Sequence, residues 1–67
     1  MKSIKERLIE EIESSKMTMV EIARRTGVTS EMITQYKTTK KMPSLETFAS
    51  LCKALDASAN YILGLED

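Results

Sequence analysis

Histidine is absent from the 67 residues, and cysteine occurs once, at Cys52. Without an imidazole the usual zinc sites and the Cys-His nucleophile pair are excluded, and a lone cysteine cannot close a disulfide within the chain. No nucleophile stands beside a base, and no glycine-rich phosphate loop is present. No catalytic residue, no metal ligand and no cofactor is therefore predicted. No apolar run approaches the roughly 18 residues that a membrane span needs. The opening residues MKSIKER lack the apolar stretch of a signal peptide, so a cytoplasmic protein without a membrane partner is expected. Glycine and proline are scarce too, at two and one, and with 42% hydrophobic and 30% charged residues the chain reads as a folded helical domain rather than a disordered one.

Net charge is also missing, with ten cations against ten carboxylates. This resists a nucleic-acid reading, because affinity for a duplex comes largely from neutralising phosphates. The distribution says more than the total. Between Lys16 and Lys53 seven cations face three carboxylates, an excess of four, whereas the first fifteen residues carry −1 and the last fourteen −3. A basic middle with acidic ends suits a binder that works through one face.

What is present is helical patterning from end to end. Ser3 and Glu6 have capping-box spacing, and Ile4, Leu8, Ile9 and Ile12 then recur on one side of a first helix expected to fray near Ser14 and Ser15. Thr18 and Glu21 repeat the capping-box spacing ahead of a second helix, with Ile22 and Ala23 inward and Glu21, Arg24 and Arg25 outward. Ala23 is small where two helices must approach closely, and Gly27 supplies the turn at positive φ, followed by Val28 as a core plug. Thr29 caps a third helix that turns Ile33 and Tyr36 inward. Its outer positions are Ser30, Glu31, Thr34 and Gln35, with Met32 at the edge.

Those outer groups include the types that read base edges, since Gln can pair with adenine through two bonds and Glu can accept from cytosine N4. They are equally what a soluble helix surface carries. The basic connection from Lys37 to Met42 is either a set of phosphate contacts or an ordinary solvated loop. Pro43 and Ser44 open a fourth helix with Leu45, Phe48, Ala49, Leu51, Cys52 and Leu55 as a wide apolar stripe, Phe48 at the core's centre and Cys52 as a buried small hydrophobe. Asp56 and Ala57 end that helix, Ser58 caps a short fifth one, and Gly64 closes it.

In order, Thr18, Ile22-Ala23, Gly27-Val28-Thr29, Ile33-Thr34, Pro43 to Thr47, Leu51 to Leu55 and Ser58 to Gly64 form a pattern that resembles the phage repressor and Cro-type helix-turn-helix regulators, the XRE-like family. The resemblance covers about Ile4 to Leu65. It implies an all-α fold, a compact five-helix bundle in one domain over residues 1–67, with the helix-turn-helix core at about 18–37. It also implies a transcriptional regulator, expected to be a repressor, whose third helix enters the major groove of a palindromic double-stranded operator as a homodimer. Carried over residue by residue, Ser30, Glu31, Thr34 and Gln35 match base-contacting positions. Thr18, Met19, Thr29, Lys37, Thr38, Lys40 and Lys41 match backbone-contacting ones. Three residues depart from the common pattern: Met19 stands where Gln is frequent, and Lys37 and Thr39 where Glu and Gly are.

A chain this short hides only about 60% of its unfolded surface, which favours self-association, and Tyr61, Ile62 and Leu65 are the expected dimer contacts. No small-molecule effector is inferred. The competing reading is a helical protein-interaction module of the same fold, antitoxin-like or adaptor, with weak or no DNA binding. Zero net charge, Met19 and Glu31 favour it; the basic middle and the polar third helix favour DNA.

Overall fold

A computed structural model describes residues 1–66, and these form five helices: α1 (Ile4–Ser14), α2 (Met19–Thr26), α3 (Ser30–Thr38), α4 (Leu45–Leu55) and α5 (Ala59–Leu63). Asp67, part of the acidic end noted in the sequence, lies outside the described residues. Every helix begins in the same way. Ser3, Thr18, Thr29, Ser44 and Ser58 sit in extended conformation, and each side-chain oxygen accepts from the backbone N–H three residues on. Each cap satisfies one of the free donors at a helix start and is worth about 1 kcal/mol.

Only the first cap is reciprocal, with Glu6 accepting from the Ser3 N–H at 2.9 Å. At the second, the capping-box expectation fails in its other half. The Glu21 carboxylate turns away to Arg24 and Arg25, at 3.1 Å from Arg25 Nε, because two charge-assisted bonds outcompete one to a backbone amide.

Each helix contributes to one core: Leu8 and Ile12 from α1, Ile22 and Ala23 from α2, Ile33 and Tyr36 from α3, Leu51 from α4 and Ile62 from α5. Full burial of an aliphatic side chain is worth about 1.5–3 kcal/mol. No polar or charged residue is buried among the described residues. α2 sits centrally, packed on both α3 and α4, while α5 closes against α1.

The amphipathic stripes are narrower than the sequence suggests. Leu45 is 84% exposed and Ile4 41%. Both open their helices, and a helical side chain leans back over the turn before it, which here is a loop with nothing beneath. Ala49 is exposed, and Phe48 and Cys52 are only half-buried at the core's margin, so Leu51 is the centre of α4. Burial and the neighbouring Glu11 push the Cys52 thiol above its ordinary pKa.

α2 ends where Gly27 adopts φ +78° and donates its N–H to Ala23 O at 2.9 Å. α4 ends similarly on Asp56 at φ 52°, a non-glycine residue in the left-handed region. No helix among the described residues is long and apolar enough to cross a membrane.

Candidate nucleic-acid interface

Gly27, Val28 and Thr29 join α2 to α3, and this tight turn lets α3 lie across the bundle with one side clamped. Ile33 and Tyr36 are the clamp, at 0% and 4% exposure. The opposite side carries Ser30, Glu31 and Thr34 in solvent, with Gln35 half-buried beside them. All four predicted base-reading residues therefore lie on α3 away from its buried pair. Met32, placed at the edge from sequence, instead packs against the core.

The hydrogen bonds on this face run along the helix. Gln35 Nε2 donates to Glu31 Oε1 at 3.4 Å, one turn back. Thr34 Oγ1 donates to Ser30 O at 3.1 Å, and Thr38 Oγ1 to Thr34 O at 2.9 Å. Each threonine hydroxyl thereby uses its proton internally and offers outward only lone pairs. Thr18 and Thr29 are arranged oppositely. Both are exposed, and each accepts a cap bond, from Glu21 N and Met32 N at 3.1 Å, which leaves its proton to donate. They mark the N-termini of α2 and α3, where unpaired amides and the helix dipole favour an anion.

The remaining backbone-contact candidates divide. Thr38, Lys40 and Lys41 are exposed. Met19 is half-buried and packs against the core, so its side chain is spent on folding. Lys37 is drawn toward α1, its Nζ 3.7 Å from Glu13 Oε2 and its side chain 24% exposed. Thr39 Oγ1 caps the end of α3 on Gln35 O at 2.7 Å and accepts from Lys41 N–H at 3.1 Å, which sets the path of the connection beyond.

Two features of this region were not read from sequence. Lys5 on α1 donates its ammonium to Lys41 O and so fastens the basic loop to the first helix, and its burial lowers its pKa. A contact across 36 residues leaves no local signal. Arg24 and Arg25 are both paired with Glu21, whose carboxyl is held below the ordinary range by Arg24 first and Arg25 second. Their spacing of three and four residues did carry that signal.

At the far end, Ile62 is fully buried in the core. It was expected at a dimer contact, but it holds α5 in place and cannot meet a partner while the helix is docked. Tyr61 is half-buried, its hydroxyl donating to Glu10 Oε1 at 2.8 Å and its ring 5.5 Å from the Arg7 guanidinium carbon. Leu65 is 72% exposed.

A short braced helix, a three-residue turn and a second helix with a free polar face define a helix-turn-helix protein. Residues 8–62 match the helix-turn-helix family, and the chain belongs to it, as the XRE-like resemblance implied. The chain is also 35% identical over 52 residues to a Bacillus subtilis (strain 168) protein named as an uncharacterized HTH-type transcriptional regulator, YobD. The match takes in 78% of this chain and 46% of that relative, so the chain spans about half of its length. No solved structure matches the chain.

Proposed function

We propose that this chain is a DNA-binding transcriptional regulator acting through one helix-turn-helix domain. The observation that carries the reading is the division of α3 into a buried side, Ile33 and Tyr36, and a polar outer side that takes no part in the core. A helix held this way can enter a major groove without unpacking. In this reading Ser30, Glu31, Thr34 and Gln35 meet base edges. Thr18 and Thr29 donate to phosphates at the two helix starts, Lys40 and Lys41 neutralise the flanking strand, and Thr38 adds a donor there only when its hydroxyl turns from Thr34 O. Lys37 joins them once released from Glu13, and Met19 drops out.

Two copies related by a two-fold axis would read a palindromic operator with recognition helices about 34–36 Å apart. Leu65 and the exposed edge of Tyr61 are the dimer contacts of this reading. Occupying such a site excludes other proteins from it, which makes repression the mode we propose.

Selection from random duplexes at two salt concentrations tests the function. A palindrome enriched at both, with log affinity falling against log salt by about 0.9 per phosphate contact, is the expected result. No enrichment at low salt overturns it in favour of a protein-interaction module, the reading that zero net charge and the inward Met19 support. Sedimentation as a monomer well above the concentrations that bind DNA overturns the dimer alone.

A further inference from the structure

Among the described residues, the one side-chain pair on the outer face of α3 is Glu31 with Gln35. A carboxylate has no proton to give, so the amide must turn its NH2 toward Glu31, and this fixes which end of Gln35 points which way. One amide hydrogen is then engaged. The carbonyl oxygen and the second hydrogen are left, one acceptor and one donor side by side. Adenine presents the complementary pair in the major groove, a donor at N6 and an acceptor at N7, whereas guanine presents two acceptors, O6 and N7. A free glutamine can meet guanine by turning both amide hydrogens to it. One held by Glu31 has a single hydrogen to offer.

Resting on the proposed function, we infer that Glu31 is a positioning residue whose carboxylate holds the Gln35 amide so that α3 distinguishes adenine from guanine. Glu31 is exposed, outside the core and free of ion pairs with lysine or arginine among the described residues. The cost of a negative charge facing a duplex thereby acquires a purpose. The carboxylate trades general affinity for discrimination at the base its neighbour reads.

The test is selection from a random duplex library with the parent chain, Glu31→Ala, Glu31→Gln and Gln35→Ala, scored as the adenine-to-guanine ratio at each position. The ratio cancels the rise in overall affinity that losing a carboxylate brings. The parent is expected to prefer adenine by about tenfold or more at one position of each half-site, the range of a good two-bond contact. Gln35→Ala abolishes that preference. Glu31→Ala lowers it at the same position at least about threefold, because the unheld amide can serve guanine. Glu31→Gln retains more of it, since its carbonyl still accepts from Gln35, and unfolding by circular dichroism confirms that each variant folds.

An unchanged ratio in Glu31→Ala, with the preference lost in Gln35→Ala, overturns the inference and leaves the proposed function standing. A change confined to a different position, with the ratio at the position read by Gln35 unaltered, overturns it also, since Glu31 would then act only on a base of its own and not through Gln35. No enriched duplex with the parent overturns both.

Discussion

Tyr61 Oη donates to Glu10 Oε1 at 2.8 Å, joining residues 51 apart in the chain and closing the last helix onto the first. Glu10 also takes the Lys2 ammonium, and the Arg7 Nη1 donates to Tyr61 O at 3.4 Å. α5 has five residues and only Ile62 fully inside. A helix that short is not stable alone, so this polar latch matters to its docking.

Tyr61→Phe is expected to lower Tm by a few degrees without changing the fold. The loss should depend on pH. Hydrogen bonds from Lys2 and then Tyr61 hold the Glu10 carboxyl below its ordinary range, so its contribution is present above the unfolded carboxylate pKa and disappears in acid. The bond to Glu10 raises the Tyr61 pKa, so the phenol's contribution is present below its unfolded value and disappears in alkali. The difference in Tm between parent and variant should be constant from about pH 5 to 9 and shrink on either side. A difference that grows in acid would refute the latch.

Leu51→Ala and Leu45→Ala make the same chemical change on one helix with opposite surroundings, at 0% and 84% exposure. The first should cost about 2–5 kcal/mol and come close to unfolding so small a domain. The second should stay within about 0.5 kcal/mol. Urea unfolding of the two variants separates them directly.

The left-handed positions give a pair of opposed expectations. A Cβ at Gly27 would meet nothing within 4 Å, so Gly27→Ala suffers only from φ +78° and should cost about 1 kcal/mol, with Gly27→Asn costing less. Asp56 already bears a left-handed φ of 52° and places a carboxylate at a helix C-terminus, where the dipole disfavours it. Asp56→Asn should therefore stabilise by about 0.3–1 kcal/mol. Thermal unfolding at low ionic strength reads both signs.

Glu13→Gln removes the partner of Lys37 without touching α3. In the proposed function it should strengthen binding to all duplexes and steepen the salt slope by about 0.9, one added phosphate contact. Lys41→Ala should do the reverse, weakening every sequence alike. Titrations at three salt concentrations suffice. A change in sequence preference from either would contradict a phosphate role.

Much of the fold was legible because it is written locally. Five hydroxyl caps, a glycine in the turn and apolar residues at helical spacing each act within four residues, and the helix boundaries followed. What the periodicity could not say is whether anything covers a given stretch of stripe, which is why Ile4, Leu45 and Ala49 share the apolar phase of their helices and yet stand outside the core. Glu21 shows a second limit. Its spacing served both a capping box and two arginines, and only the relative strength of those bonds decides. In the candidate interface the outer residues of α3 were readable from the phase of Ile33 and Tyr36. The diversion of Lys37 to Glu13 and the anchoring of Lys41 by Lys5 were not, since both depend on α1 lying alongside.

The separation within α3 between Ile33 and Tyr36 on one side and Ser30, Glu31 and Thr34 on the other has an evolutionary consequence. The residues that hold the helix and those that would meet a ligand answer to different selective pressures, so the outer set can be rewritten with little penalty in folding. The scaffold then behaves as an interchangeable socket, and relatives with the same interior can diverge freely in what they recognise.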